Sequence, residues 1–481
     1  MDIGVMLYFS DMNAANGPPI PKFLAFVPVK DLEEWLDALS NTVDVEENDN
    51  GTVSIVTRDG TELTLKEKDG YAFIANEPEL LIDLPETPKK ELGKLPEEFN
   101  LAVKVLPGRI PESLRKQALT MIEEGAMQTL DELDDDLQDL QAKNLEMQLK
   151  QFKMMLNESE SLVVGMAADK ESKKLVTEVT YIARAGTDLA KKMNEVKATT
   201  PSRFTGFLME GAAMNFNANA RVAADDGKMY GQLLADGKES VIDELNEESE
   251  LSDSEFEKVE SAIDSLVEVI SKTLENGVID GGAVIMLDGK DINFVGGATV
   301  AEPAKLESVV KDLIPILKQK AGDDEVDLEI NLDHSQHSGV TFHEIKVMIG
   351  EDEEEARRAF GDSVSVQVGI GKDTLYFGAG NDPLPLIKKA MAGKSSSEYA
   401  AEMNFFLVPV LRTATGLGAP PEVGAMAEAL AEAGGDRIRM TSHAIENGST
   451  MRFEIQDGIL SLIKVGFETV QGGRGAFEDE F

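Results

Sequence analysis

The sequence predicts an α+β fold: two related units of antiparallel sheet covered by helices, with a long helical insertion in the first unit. Three observations predict it. Short segments of alternating apolar and polar residues recur along the chain, punctuated by Asp59-Gly60 and Asp69-Gly70. Asp-Gly favours tight hairpins because glycine tolerates positive φ. Between these segments lie others with apolar residues three and four apart, the period of a helix. Finally, segments of the first half recur in the same order in the second.

Taken in order, residues 23–29 form a strand, and Asp31 caps a helix with Leu32, Trp35, Leu36 and Leu39 on one face. Strand-like segments follow near 52–57, 61–67, 71–75 and 101–106. Residues 111–158 then change character. Leu130, Leu133, Leu137 and Leu140 recur with acids between them, and Leu145, Leu149, Phe152 and Leu156 continue the pattern. This insertion reads as a long helix or a helical hairpin lying over the sheet. A coiled coil with another chain is the alternative. Strands return at 161–168 and 174–184, with a turn at 169–172.

The polar stretch from Lys197 to Arg203 marks a boundary, giving a first unit at 1–199 and a second at 200–481. Residues 213–223 alternate as a strand does. Acids crowd 239–260, with Lys258 the one base, and the first part of that stretch reads as a loop. The helix after it takes Ser254 and Glu257 as a capping box. It points Phe256, Val259, Ile263, Leu266, Val267, Ile270 and Leu274 inward and stops at Gly277.

Five matches make the halves a tandem. Residues 2–9 correspond to 282–288, 23–39 to 294–317, 68–81 to 371–384, 100–105 to 404–410, and 161–184 to 437–466. Residues 203–280 have no counterpart before Met1: either the first unit lacks that piece or the chain begins part-way through it, and the second is the expectation.

Charge and composition restrict function. The chain has 481 residues, 42% of them hydrophobic, enough to bury substantial cores. Its 46 basic and 89 acidic residues leave a net charge of −43. Such a surface repels phosphate backbones and anionic lipid, so no nucleic-acid partner is expected. Weak divalent-cation association with the many carboxylates is expected as a counterion effect. With no cysteine, disulfides, thiolate nucleophiles and Cys-type zinc sites are excluded. No apolar run is long enough for a transmembrane helix, and residues 1–9 read as a strand instead of a signal peptide.

The motif search yields few sites. His334, His337 and His343 lie close together beside Asp333, and spacings of three and six can supply metal ligands if the loop folds back. The competing reading is a hairpin with His334 and His337 in its turn and His343 facing inward. Residues 46–51 begin like a calcium loop, but position twelve is Thr57 and strand sequence follows, so a hairpin turn fits better. Residues 369–374 fail as a phosphate loop because Asp373 follows the lysine. Residues 361–365 fail as a nucleophile elbow because Ser365 replaces the last glycine. No catalytic residue and no cofactor is assigned. The acidic runs at 351–355 and 478–480 read as solvated surface.

The run Phe26-Val-Pro-Val-Lys-Asp-Leu32, with Gly70-Tyr-Ala-Phe-Ile-Ala-Asn-Glu-Pro78 and Asn100-Leu-Ala-Val-Lys-Val105, resembles exported proteins of unknown function from planctomycete bacteria. Those are built from repeated α+β modules behind a signal peptide. The resemblance implies export, to the periplasm, cell surface or exterior, and an architecture. It carries no catalytic signature. The expected function is therefore a non-catalytic exported or cell-envelope protein acting by assembly, as a homo-oligomer, or by binding a protein partner. The alternative is a carrier of a hydrophobic or lipid-like ligand between sheet and helices, and an enzyme is the third possibility.

Overall fold

A computed structural model describes residues 3–8, 22–39, 43–48, 50–57, 60–86, 88–130, 135–197, 200–248, 251–288, 291–323, 327–393 and 397–463. Asp49, Asp59, Leu133 and the acidic run 478–480 lie outside them. The fold is α+β, with two antiparallel sheets and helices, as the alternating and helical periods predict. The chain divides into two compact units, Met1–Met127 with Gly165–Ala167, and Gln128–Val164 with Ala168–Phe481.

The first unit holds β1 (Gly4–Tyr8), β2 (Lys22–Pro28), β3 (Asp44–Glu47), β4 (Val53–Val56), β5 (Glu62–Lys68) and β6 (Tyr71–Ala75), paired in the order β1-β2-β6-β5-β4-β3. Asp69 and Gly70 both have positive φ, 52° and 78°, the backbone of a two-residue hairpin turn. One face of this sheet buries Val53, Ile55 and Leu65 against the helix Leu32–Leu39, which presents Leu32, Trp35 and Leu36. The other face buries Leu24, Phe26 and Phe73 with Leu81 and Leu84. A further strand, β7 (Leu101–Val105), and the helix Glu112–Leu130 follow.

In the second unit the helix Asp135–Glu158 leads into β8 (Ser159–Asp169) and β9 (Lys174–Ala183). Next come β10 (Met214–Arg221), β11 (Val278–Asp288), β12 (Asp291–Thr299), β13 (Leu328–His337), β14 (Val340–Met348), β15 (Ser363–Ile370) and β16 (Thr374–Gly380). The chain continues through β17 (Ala401–Phe406), β18 (Arg437–Ile445) and β19 (Gly448–Gln456). These strands pair in the order β13-β14-β15-β16-β12-β11-β10-β17-β18-β19-β9-β8. The run β11-β12-β16-β15-β14-β13 has the same sequence of connections as β1-β2-β6-β5-β4-β3. A side-chain detail also coincides. Asn76 Oδ1 accepts the N–H of Phe23 at 2.8 Å, next to the start of β2, and Asn381 Oδ1 accepts that of Ile292 at 2.8 Å, next to the start of β12.

The core on one face of β11, β12 and their neighbours gathers Phe204, Phe207, Val284, Val295, Phe342 and Ile387. The helical turn Thr205–Phe207 and the helix Pro383–Ala392 close over it. They meet backbone to backbone at Gly206, where a Cβ would fall 2.0 Å from the Ala390 carbonyl oxygen. Only glycine permits that approach.

Three expectations are corrected. Residues 239–248, read as loop from their charge, belong to the helix Ala224–Glu248. Tyr230, Leu233, Leu234, Gly237 and Val241 recur at its helical period along one side, a pattern the acids hide. The capping box of the helix Asp253–Glu275 is Ser252 with Glu255, not Ser254 with Glu257. Two Ser-x-x-Glu quartets overlap here, and the chain uses the first, placing Ser254 in the first helical turn. Gly277 ends this helix with φ 68°, as expected of a C-terminal glycine. Lastly, His334 and His337 sit within β13, and the turn is Ser338-Gly339 with positive φ at both residues.

No helix among the described residues is long and apolar enough to cross a membrane. The packing makes a direct prediction. Phe342 is fully buried with its ring against Gly369, where an added Cβ would lie 2.4 Å from it. Phe342→Ala should lower unfolding free energy by about 3–5 kcal/mol in denaturant titration. A loss below about 1 kcal/mol would show that this cluster is not the core of the unit.

Candidate functional site

The alternation of β10, Met214-Asn-Phe-Asn-Ala-Asn-Ala-Arg221, puts Asn215 and Asn217 on one face and Met214 and Phe216 on the other. Register carries the polar face sideways. Asn215 lies opposite Asn404 of β17, Asn404 opposite Arg439 of β18, and Arg439 opposite Glu454 of β19. Four of the side chains on this face are nearly fully buried: Asn215 at 3%, Asn404 at 6%, Glu402 at 9% and Glu454 at 6% exposure.

Burial of charge is tolerated here because each group is paired. Glu402 Oε1 accepts two guanidinium N–H groups of Arg439, at 3.2 and 2.9 Å, and its Oε2 accepts the Ser397 hydroxyl at 3.1 Å. Arg439 also lies over the Tyr399 ring at 5.0 Å. Burial opposes the charge on Arg439, yet the neighbouring Glu402 carboxylate outweighs it and raises the guanidinium pKa. Glu454 Oε1 accepts from Lys174 at 2.9 Å and from Arg452 at 2.8 Å. Burial pushes its carboxyl up, but the two cations together hold it below its usual 4.5. Above this row lies a cavity of about 680 Å³, walled also by Met209, Tyr399, Phe406 and Arg437.

A second cavity, about 830 Å³, differs in every chemical respect. The helices Ala224–Glu248 and Asp253–Glu275 form most of its wall, with Leu233, Leu234, Val241, Ile263, Val267 and Leu274. Val222 and Ile279 close it at the ends of β10 and β11, and Asn144 of the helix Asp135–Glu158 joins them. The two main helices touch at Gly227 and Gly231: a Cβ on Gly227 would fall 2.5 Å from the Leu274 carbonyl oxygen, and one on Gly231 3.3 Å from Ser271. Lys238 is the one cation in the lining, and its ammonium donates to Asp264 at 2.6 Å. Tyr230, Val241 and Ile279 remain 38–47% exposed around it.

Of the three histidines considered for metal, only His343 lies among carboxylates. Glu307, Asp333 and His343 offer ligand atoms within 4.8 Å of one another. His343 is 2% exposed, and its Nδ1 accepts the Asp333 N–H at 3.2 Å. That bond occupies the Nδ1 lone pair, so the neutral ring carries its proton on Nε2. A cation would have to displace the Asp333 N–H to gain a nitrogen ligand. His334 instead faces Glu344, 3.6 Å away, and His337 ends β13 opposite Val340. One histidine and two carboxylates would suit a divalent transition metal; the hydrogen bond to the irregular stretch of β13 gives His343 a structural role without one.

The polar row escaped the sequence reading. The strand alternation was visible, but either face of an alternating strand can be the buried one. Three asparagines at every second position were the available signal.

No family model, no curated protein and no solved structure matches this chain.

The charge row generates a pH prediction. Because the Glu454 carboxyl is held below its unfolded 4.5, its contribution is complete above that pH and lost as pH falls through the lowered folded value. Thermal stability should therefore drop on acidification below about pH 5. Glu454→Gln should cost about 1–3 kcal/mol at neutral pH and flatten part of that acid limb. An unchanged acid limb in the variant would assign the titration to other carboxylates.

Proposed function

We propose that the protein is a non-catalytic binding protein that carries a hydrophobic or lipid-like ligand in the cavity between the helices Ala224–Glu248 and Asp253–Glu275. The observation that carries this reading is the cavity itself. At about 830 Å³, its named lining is aliphatic but for Tyr230, Asn144 and Lys238, and its size lies within the range of small-molecule sites, about 300–1,000 Å³. Burying apolar ligand surface there gains about 25 cal/mol per Å². Lys238 gives the ligand class a polarity: an anionic headgroup can take the place of Asp264 on its ammonium. The occupant is thus an amphiphile with an acyl or similarly apolar body.

The same reading treats the two halves as copies of one α+β module. Its support is the shared order of strands and the matching Asn76 and Asn381 hydrogen bonds. Export rests on the sequence resemblance. Assembly or partner binding is the second reading, favoured by β1. Ile3, Val5 and Leu7, at the edge of their sheet, are 56–59% exposed, and an apolar edge strand is a template for pairing.

The test is titration of the full chain with the fluorescent apolar probe N-phenyl-1-naphthylamine, followed by competition with palmitate. Saturable binding at one site per chain is expected, displaced by palmitate. Val267→Trp, which fills the cavity, should weaken it by about tenfold or more while leaving the circular dichroism spectrum unchanged. Binding that is absent, or indifferent to both Val267→Trp and Leu234→Trp, would overturn the carrier reading.

A further inference from the structure

The first unit leaves open a place that the second unit fills. The Asn76 and Asn381 hydrogen bonds set Phe23 against Ile292, and three residues further on Phe26 stands against Val295. Gly4 lies opposite Phe26, and Val284 lies opposite Val295. Gly4-Val-Met-Leu7 therefore takes the place of Val284-Ile-Met-Leu287, and β1 takes that of β11. Beyond β11 comes β10, with Met214 opposite Ile285 and Phe216 opposite Ala283. Beyond β1 there is no strand among the described residues. Exposure registers the difference. Ile285 and Ala283 are half-buried, whereas their counterparts Val5 and Ile3 are 59% and 56% exposed. The other neighbour of β10 repeats the contrast. Glu98-Phe-Asn-Leu101, running into β7, matches Glu402-Met-Asn-Phe405 of β17. β17 pairs with β10, while β7 is a terminal strand whose Leu101 and Val103 stay exposed.

The backbone of this edge is turned outward. The Val29 N–H donates to the Gly70 carbonyl at 2.9 Å, so the odd-numbered residues of β2 address β6 and the even-numbered ones address β1. Gly4, Met6 and Tyr8 lie opposite those even-numbered residues, which leaves the N–H and C=O groups of Ile3, Val5 and Leu7 facing away from the sheet. In β11 the carbonyl that matches Val5, that of Ile285, accepts the Ala213 N–H at 2.9 Å. Two guards of natural sheet edges, charge and proline, are absent from Ile3 to Tyr8. Charge decides what kind of strand fits. Asp2 and Asp11 flank the stripe in a chain of net charge −43, and a second copy would bring the same acids to the same edge. β10, which fills this place in the second unit, has no acid and ends in Arg221.

We propose that the free edge of β1 receives an extended strand from another polypeptide, antiparallel to β1, apolar at every second position and neutral or basic in charge. Main-chain hydrogen bonds to Ile3 and Val5 supply the affinity, and the alternating side chains cover the exposed stripe. The incoming strand completes the first module as β10 completes the second. This pairing presupposes that the two halves are copies of one module and that β1 binds a partner, as proposed above; it does not depend on the apolar cavity.

The probe is a fluorescein-labelled peptide with the sequence of residues 212–222, titrated with the full chain and followed by fluorescence anisotropy. Saturable binding at one site per chain is expected, and none to a peptide of the same composition whose alternation is broken. Val5→Pro deletes an outward N–H and spares the pairing with β2, because an edge strand admits proline where its N–H faces solvent. It should weaken binding by about tenfold or more. Val5→Lys guards the edge with a charge and is the second variant should the proline one not fold. Val267→Trp in the apolar cavity should leave peptide binding unchanged. Absence of binding, or binding that neither Val5 variant weakens, would overturn the proposal. Sedimentation of the chain alone separates the two ways of failing. A dimer that Val5→Lys dissociates would assign the edge to a second copy, and a monomer that ignores the peptide would remove partner binding at β1 as well.

Discussion

The second unit depends on β10. This strand pairs β11 over eight positions, from Met214 opposite Ile285 to Arg221 opposite Val278, and β17 over five. Without it the sheet would separate into two halves, one ending at β11 and the other at β17. The segment just before it contributes Phe204, Phe207, Met209 and Ala212 to the main core, so one stretch of chain fixes both the pairing and the packing. Its buried asparagines reinforce the arrangement. Asn217 donates to Ser202 Oγ and to the Gly281 carbonyl, at 2.8 and 3.0 Å, and an apolar replacement would remove both of these buried bonds.

Both cavities inherit their geometry from that strand. Asn215 lies on the floor of the polar one, and Val222, just past Arg221, closes the apolar one. The chain leaves β10, runs out along Ala224–Glu248, returns along Asp253–Glu275 and enters β11 beside its starting point. The helices are tied at one end by glycine contacts and at mid-length by Lys238 on Asp264. A second ion-pair group joins Asp253–Glu275 to the helix Pro303–Asp323: Lys272 and Lys305 both contact Glu268 and Glu302 at 2.5–3.0 Å. Those cations hold the Glu268 carboxyl down to about 2. These side chains are well exposed, so the group positions the helix more than it stabilises it. Between these anchors the helical pair leaves apolar surface that no described residue fills.

What could be read from the sequence was local. Alternation located the strands, Asp69-Gly70 located a hairpin, and Gly277 located the end of a helix, because each depends on backbone rules acting within a few residues. Reading failed where two local signals competed. Overlapping Ser-x-x-Glu quartets left the cap ambiguous by two residues, and dense acids masked the apolar side of Ala224–Glu248. The sites were hidden for a different reason. Asn404, Glu402 and Arg439 become neighbours of Asn215 only through strand pairing, nearly two hundred residues apart in the chain, and no spacing rule announces that. The histidines are the converse case. Their closeness in sequence suggested a cluster, but β13 and β14 carry them to different surroundings, and the partner that reaches His343 from outside the hairpin, Glu307, comes from a helix.

The carrier reading is tested most directly by a native mass spectrum of the protein purified from its source without detergent. It reports the retained ligand and the state of assembly together. A stoichiometric adduct of lipid-like mass, lost on organic extraction, is the expected result. A chain that flies bare in every preparation, whether as monomer or oligomer, would contradict it and leave the exposed edge at β1 as the feature that explains what the protein does.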